Sequence, residues 1–272
     1  MLLKYQYKLQ ALTLLGGKFM ISYEDKQLME QLMESNEDFK HIINKLVEEN
    51  RQMLSSLTHE IRNPLTLIKS TFQLIGEQHP ETKDFKFWNQ IELDINQTVD
   101  LLNDLSAYNH SNSLQTDVYD LYELITDTID SFLPLIETSS LSLTTYFDDS
   151  ILLDIYAYTI DAGKFREVLI NLLKNAVEAA DSNSTINVSV TKAIDSKNMN
   201  PTIDISITNE GDTIPEDELV TIFQPFVTSK SAGTGLGLPI CQQIIEQHNG
   251  TLFVTQGDHS VTFHIYLPLH TK

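Results

Sequence analysis

Apolar residues recur at intervals of three, four or seven between positions 28 and 75, and this stripe constrains the fold more than any other feature. Its members are Leu28, Leu32, Phe39, Ile42, Leu46, Met53, Leu57, Ile61, Leu65, Ile68, Phe72 and Ile75. The spacing predicts a long amphipathic helix with coiled-coil character. Ser35 and Glu49 interrupt the stripe, and Gly76 followed by Pro80 ends it.

A second amphipathic helix is predicted after this turn. Its apolar face consists of Trp88, Ile91, Ile95, Val99, Leu102 and Leu105. Two helices cannot enclose both stripes, whereas two copies of an antiparallel hairpin pair into a four-helix bundle. Residues 22–110 therefore predict a coiled-coil entry followed by a dimerisation module, and hence a homodimer.

The pattern changes after a polar linker at residues 110–117. Period-two alternation, which is typical of strands with one buried face, occupies residues 185–193, 201–209, 251–256 and 260–267. Gly257 and Asp258 supply a hairpin turn between the last two strands. Helical stretches are predicted at about 119–137, 161–180 and 236–248. Residues 111–272 therefore predict a second domain, a two-layer α/β sandwich with one mixed sheet.

Composition excludes several classes of protein. The 272 residues are 41% apolar, which suits one large or two modest cores, and 18 basic against 38 acidic residues give a net charge of −20. Such a surface repels nucleic acids. Cys241 is the single cysteine, so no intrachain disulfide forms and a reducing, cytoplasmic compartment is expected.

Residues 1–21 form a separate basic, leucine-rich segment. Leu2, Tyr5, Leu9 and Leu12 recur at helical spacing, so a helix lying on a membrane surface is one interpretation. A short docking helix, or a start codon upstream of Met20, is the other. We favour the latter pair because interfacial anchors are rarely this short.

His59 is a candidate nucleophile. It lies two positions from both Leu57 and Ile61, which places it about 200° from each around a helix and predicts an exposed imidazole. Pro64 removes the hydrogen bond to the Glu60 carbonyl and predicts a bend near His59. If the Glu60 carboxylate holds the Nδ1 proton, Nε2 is left as a nucleophile, although helix neighbours do not normally face each other. A merely solvated histidine is the alternative.

Two further segments carry groups suited to a nucleotide. Glu167, Asn171 and Asn175 recur every four residues on the predicted 161–180 helix, and such oxygen-bearing side chains suit Mg²⁺; an ordinary surface helix is the alternative. Residues 233–238 form a glycine-rich turn that opens a helix, where anions collect. Its members are Gly233, Thr234, Gly235, Leu236, Gly237 and Leu238.

Taken together, these segments resemble sensor histidine kinases of two-component systems. SLTHEIRNPLT (56–66) resembles their H-box, FREVLINLLKNAVEAA (165–180) the N-box, and FQPFVTSK (223–230) the F-box and mobile nucleotide lid. ITNEGDTIPED (207–217) occupies the place of the G1 box. The resemblance implies a dimerisation and histidine phosphotransfer hairpin followed by the GHKL, or Bergerat-like, ATP-binding fold.

The resemblance also implies roles for individual residues. ATP phosphorylates His59, and the phosphoryl group passes to an aspartate of a response regulator docked along the hairpin. Asn63 completes a Glu-x-x-Asn pattern whose amide orients water for dephosphorylation of the regulator. The nucleotide contacts implied are Asn171 on magnesium, Lys174 and Asn175 near the phosphates, Phe226 in packing and Lys230 on a phosphate.

The G1 box departs from the family pattern at two positions. Asn209 stands where the family has an aspartate that accepts a hydrogen bond from the adenine amino group, and Thr213 replaces the second glycine, whereas Gly211 and Ile214 remain in register. An amide still accepts that bond but without charge assistance, which predicts ATP binding weaker by about 1 kcal/mol.

Two other functions stay open at this stage. The altered G1 box fits a nucleotide-responsive dimer that docks a regulator without autophosphorylation. ATP hydrolysis is the third interpretation, because Glu167 precedes Asn171 by one turn, where GHKL ATPases carry the carboxylate that activates water. The remaining histidines are predicted to be surface or turn residues, and Cys241 a core residue.

Overall fold

The computed structural model describes residues 23–110, 114–195, 199–219, 221–228, 230 and 233–269. The predictions for residues 1–21 therefore lie outside the described residues. The chain divides into two compact units. The first is helical and comprises the described residues up to His110 and those of Lys230–Thr234; the second is a mixed α/β unit that comprises the remainder.

The helical unit is an antiparallel hairpin with a preceding helix. Its elements are α1 (Tyr23–Ser35), α2 (Glu37–Gln78), a 3₁₀ turn (Pro80–Asp84) and α3 (Trp88–His110). Arg62 donates hydrogen bonds to the Leu102 carbonyl and the Asn103 side chain. The Phe72 and Trp88 rings stack 4.0 Å apart further along α2. The order of these contacts makes α2 and α3 antiparallel, as predicted.

The predicted continuous helix is wrong at Asn36. Asn36 has extended backbone, and its side chain accepts a 3.0 Å hydrogen bond from the Phe39 N–H, which caps α2. Met33 packs with Ile43 and Val47, although ten residues of unbroken helix would separate Met33 from Ile43 by about 15 Å. Helix α1 therefore folds back on α2. The missed signal was an N-cap asparagine followed by two acidic residues.

The two apolar faces of α2 differ in solvent exposure. Ile43, Val47 and Thr58 are buried. Most members of the predicted stripe lie beside this buried face rather than on it. Their side chains are between 41% and 56% exposed, and they are Ile42, Leu46, Met53, Leu57, Ile61, Ile68 and Ile75. One apolar face of α2 is thus left uncovered by the described part of its own chain.

The α/β unit begins with a helix and alternating short elements. The first are β1 (Asp117–Tyr119), α4 (Leu121–Thr138), β2 (Ser142–Phe147), α5 (Leu152–Ile155), β3 (Tyr158–Ile160) and α6 (Ala162–Ala179). The later ones are β4 (Thr185–Ile194), β5 (Pro201–Glu210), α7 (Glu216–Leu219), α8 (Gly237–Gln247), β6 (Thr251–Gln256) and β7 (Ser260–Pro268). None of the described helices in either unit is both long and apolar enough to cross a membrane.

The sheet has five strands in the order β2-β4-β5-β7-β6. Strand β2 runs parallel to β4, and the other pairs are antiparallel, so the sheet is mixed as predicted. One face of β5 is buried at Ile203, Ile205 and Ile207, and α6 packs both on this strand and on α8. This is the predicted two-layer sandwich. Strands β1 and β3 form a separate antiparallel pair.

The predicted strands at 185–193, 201–209, 251–256 and 260–267 are confirmed with small changes at their ends. The Gly257 N–H donates to the Ser260 carbonyl at 3.0 Å and closes the predicted hairpin turn. Strands β1, β2 and β3 were not predicted. Strands β1 and β3 have three residues each, and β2 is rich in serine and threonine and largely exposed, so none carries a strong alternation.

His248 corrects the expectation that the remaining histidines are surface or turn residues. It is buried, its Nε2 accepts from the Asp161 N–H at 3.0 Å, and its Nδ1 lies 2.8 Å from the Ile244 carbonyl, to which it donates. The neutral ring thus joins the end of α8 to the start of α6. His264 is also half-buried, between the Asp204 carboxylate and the Thr255 hydroxyl.

His248 predicts a loss of stability in mild acid. Burial lowers the pKa of His248 below its value in the unfolded chain, so the unfolded chain binds more protons as the pH falls below about 6.5. The free energy of unfolding should decrease there by about 1.4 kcal/mol for each unit of pKa lowering. Urea unfolding monitored by circular dichroism between pH 7.5 and 5 measures this decrease.

Two variants isolate the contribution of this ring. His248→Gln should flatten the pH dependence, because glutamine does not titrate, whereas His41→Gln, at an exposed position on α2, should leave it unchanged. Parallel curves for the wild type and His248→Gln would contradict the assignment.

Candidate functional site

His59 lies on α2 and is exposed, as its spacing predicted. The adjacent Thr58 is buried and donates a 2.7 Å hydrogen bond to the Leu54 carbonyl, so α2 turns Thr58 inward and His59 outward. Glu60 and Asn63 are exposed on the same helix, which continues without a break through Pro64. The bend at Pro64 and the contact between Glu60 and the ring stay predictions.

Helix α6 presents the second group of candidate residues. Asp161 caps it by accepting from the Lys164 N–H at 3.0 Å, and an apolar face that includes Phe165 and Leu172 anchors it in the core. Asn171 and Asn175 are half-buried on the opposite side, and Lys174 is exposed.

Gly237 of the glycine-rich turn and Asn171 of the asparagine pair lie side by side. Gly237 begins α8, and a Cβ atom added to it would lie 3.6 Å from Asn171 Oδ1, with no backbone of another element closer. The start of α8, with the N–H groups of Gly237 and Leu238, therefore lies on the side where Asn171 stands. Leu236 is fully buried and Leu238 half-buried, which anchors the turn.

Cys241 lies one turn further along α8 and is buried, which confirms its predicted core position. Its Sγ is 3.9 Å from the Val168 carbonyl and contacts the Asn171 side chain. Burial and the nearby Glu167 carboxylate raise the pKa of the Cys241 thiol, so the group stays a neutral donor. The thiol thus belongs to the packing that supports Asn171.

Phe226 and Gly235 close the loop that contains the predicted lid. The Phe226 N–H donates to the Gly235 carbonyl at 2.9 Å, and both residues have left-handed backbone, with φ of 65° and 66°. The Phe226 side chain is exposed. The Lys230 side chain is exposed, and the Lys230 backbone carbonyl accepts a hydrogen bond from the Gly233 N–H. Lys230, Gly233 and Thr234 group with the helical unit. The structure therefore does not bring these three residues together with Asn171 in one unit.

Asn209 occupies the end of β5 on the face that looks toward the helices. It is 2% exposed, and its Nδ2 atom finds no hydrogen-bond partner among the described residues. Gly211 follows with a φ of 155°, and a Cβ there would lie 2.2 Å from the Ala179 carbonyl oxygen. Glycine is thus required at this position because the loop passes directly over the end of α6.

Gln256, which the sequence analysis did not single out, holds the same loop. Its Oε1 accepts from the Ile214 N–H at 3.0 Å, and its Nε2 donates to the Ile214 carbonyl at 3.1 Å. The Gly211 N–H donates to the His259 carbonyl. The loop is therefore tied at both ends to the β6–β7 hairpin. A polar residue at the end of a strand was the only available signal.

These groups fit a nucleotide with a bound magnesium ion. The buried Nδ2 donor of Asn209 lacks a partner within the part of the chain that the structure describes, and the Asn171 amide oxygen lies beside a helix N-terminus, which attracts phosphate. Amide oxygens are hard ligands of the kind Mg²⁺ takes in small numbers while it keeps water and phosphate oxygens. No cluster of three His, Cys, Asp or Glu side chains suited to a metal occurs among the described residues.

The Glu167 carboxylate on α6 forms an ion pair. Its Oε2 atom is 2.9 Å from Lys164 Nζ, and both side chains are one-third exposed. The Glu167 carboxylate is thus ion-paired with a side chain of its own helix.

Family comparisons agree with this geometry. Residues 49–113 match the His Kinase A (phospho-acceptor) domain, and residues 160–271 match the histidine kinase-, DNA gyrase B- and HSP90-like ATPase family. Sporulation kinase A of Bacillus subtilis is 32% identical over 75% of this chain, and sporulation kinase C of the same organism is 27% identical over 90%. The chain spans 32% and 55% of the length of these two relatives.

Solved structures lead to the same family. The nucleotide-free catalytic domain of the histidine kinase ThkA is 30% identical with a TM-score of 0.50, and the match covers 57% of this chain and 97% of that one. ThkA in complex with the response regulator protein TrrA matches over 88% of this chain and 67% of that one, with 26% identity and a TM-score of 0.59. The fold and site thus define a phospho-acceptor hairpin that is followed along the chain by an ATPase-like domain. The chain belongs to the sensor histidine kinases.

Gly235 offers a test of the loop geometry. Gly235→Ala should destabilise the α/β unit by roughly 1–3 kcal/mol, because a Cβ there would lie 2.6 Å from the Phe226 carbonyl carbon and alanine disfavours positive φ. Gly163→Ala is the matched control, since its Cβ would make an ordinary 3.5 Å contact in the first turn of α6. Thermal unfolding of both variants measures the difference, and equal melting temperatures would contradict the described loop.

Proposed function

We propose that this chain is an ATP-dependent protein histidine kinase that phosphorylates its own His59 and passes the phosphoryl group to an aspartate of a response regulator. The observation that carries the proposal is the position of Asn171 beside Gly237 at the start of α8. It brings the N-box and the glycine-rich turn to one place, in a chain that also presents an exposed histidine on a phospho-acceptor hairpin.

Residues of the α/β unit bind and orient the nucleotide in this proposal. The N–H groups of the first turn of α8 and the Asn175 amide hold phosphate oxygens, and the exposed Lys174 supplies positive charge beside them. The Asn171 Oδ1 atom would hold Mg²⁺. When bound, this ion lowers the negative charge on the phosphates. Phe226 belongs to the lid that excludes water, and the contact of Lys230 with a phosphate stays a prediction.

His59 performs the chemical step. Its Nε2 lone pair forms a bond to the γ-phosphorus of ATP, the bond from that phosphorus to the ADP oxygen breaks, and the product is a phosphoramidate. Glu60 holds the Nδ1 proton and so keeps the lone pair on Nε2. Alignment of the two reactants and stabilisation of charge supply most of the rate enhancement, since this transfer needs little covalent help from the protein.

The hairpin then serves as the docking surface of the regulator. Support comes from the similarity to ThkA, whose structure is known in complex with the response regulator protein TrrA. Asn63 lies one turn after His59 and is exposed, so its amide is available to orient a water molecule on a phosphorylated regulator. Both directions of phosphate flow are included in the proposal.

Homodimerisation through residues 22–110 covers the apolar face of α2. Seven large apolar side chains of this face are at least 41% exposed, and such a continuous stripe on one helix is typical of a protein interface. A second hairpin that packs against it completes a four-helix bundle.

A regulator-binding module without kinase activity is the alternative that the altered G1 box suggested. It finds no support in the family matches, and it is an outcome of the phosphorylation test below. ATP hydrolysis through Glu167 ranks lowest, because Lys164 is ion-paired with that carboxylate.

The phosphorylation test uses ATP labelled at the γ-phosphate. The wild-type chain should acquire acid-labile label, and His59→Gln should abolish it because the accepting nitrogen is lost. His41→Gln, an exposed histidine on the same helix, should retain it. Absence of label from the wild type, despite measurable ATP binding, would favour the binding module. Label that survives His59→Gln would reject His59 as the acceptor.

The dimer test introduces charge into the apolar face. Met53→Asp should weaken dimerisation by at least tenfold, because Met53 is 56% exposed in the chain and a carboxylate would be buried in the proposed bundle. Gln52→Asp adds the same charge to an exposed, polar flank of α2 and should leave the dimer intact. Sedimentation equilibrium measures both dissociation constants. A wild-type chain that sediments as a monomer would contradict the proposal.

A further inference from the structure

Asn209 combines burial with an unused hydrogen-bonding group. Its side chain lies on the helix-facing side of β5, in line with the buried Ile205 and Ile207. It is 2% exposed, and its Nδ2 atom has no partner among the described residues. A buried donor without an acceptor is costly, so a ligand that supplies an acceptor at this place would be favoured.

An amide and a carboxylate distinguish purines differently. An ionised carboxylate only accepts hydrogen bonds, so it pairs with the 6-amino group of adenine and repels the 6-oxo group of guanine or hypoxanthine. An amide carries both a donor and an acceptor, and a half-turn about its last torsion exchanges the two at nearly the same positions. An asparagine at the position where the resemblance implies an adenine-reading aspartate can therefore pair with a 6-amino group through Oδ1 and with a 6-oxo group through Nδ2.

We propose that Asn209 gives this kinase a base site that accepts 6-oxopurine nucleotides as well as adenine nucleotides. The proposal rests on the proposed function, because it concerns the nucleotide that the same site binds. The loop after Asn209 is held in place, because the Gly211 N–H donates to the His259 carbonyl and both backbone groups of Ile214 bond to the Gln256 side chain.

Binding of nucleoside diphosphates tests the proposal without turnover. Isothermal titration calorimetry of the full chain with ADP and with IDP, both with magnesium, gives the ratio of the two dissociation constants. IDP is the matched probe because it presents a 6-oxo group and lacks the 2-amino group that enlarges guanine. For the wild type, we expect the two constants to agree within about tenfold.

Two variants assign the effect to the amide. Asn209→Asp should bind ADP at least as tightly as the wild type and IDP about a hundredfold more weakly, because the carboxylate faces the 6-oxo group. Thr213→Gly restores the other family residue of the same loop at an exposed position and should leave the ratio unchanged. Circular dichroism checks that both variants fold.

The outcomes separate this inference from the function on which it rests. If the wild type binds ADP but binds IDP more than a hundredfold more weakly, the inference is wrong and the kinase proposal stands. If Asn209→Asp folds and leaves the ratio unchanged, Asn209 does not read the base. If the wild type binds neither nucleotide, the proposed function itself fails.

Discussion

Packing of α6 between β5 and α8 is the contact on which the site depends. The apolar face of α6 is buried against the sheet and α8, which leaves Asn171 on the side where α8 begins. Gly237 permits this approach because a Cβ there would already lie 3.6 Å from the Asn171 amide. Side chains from the middle of one helix and backbone N–H groups from the start of another thereby converge, which neither helix achieves alone.

The helical unit follows a different constraint, since a single helix carries two apolar faces. One face of α2 packs within the chain against α1 and α3, and the neighbouring face stays exposed. Burial of an amphipathic face supplies most of the stability of such a helix, so an uncovered face calls for a partner. His59 lies outside both faces, which leaves its imidazole available for the role of phosphoryl acceptor that we propose.

Much of the architecture was predictable because the spacing of apolar residues along the chain indicates which segments are helices and which are strands. The strands that became β4, β5, β6 and β7 alternate strongly, and the helices that became α4, α6 and α8 have continuous apolar faces. The break at Asn36 was missed because the apolar spacing continues across it. The buried position of His248 was missed because its partners, Asp161 and Ile244, belong to the ends of two different helices.

The sequence by itself determined the order of the main helices and of strands β4 to β7, and the exposed position of His59, because these properties depend on spacing along one chain. Motif identity supplied the candidate site residues as predictions. Only the tertiary structure decided that Asn171 stands beside Gly237, that Gln256 holds the loop at Ile214, and that Asn209 Nδ2 is buried with no hydrogen-bond partner among the described residues. These are contacts between residues about 40 to 66 positions apart, or consequences of such contacts, and local periodicity carries no information on them.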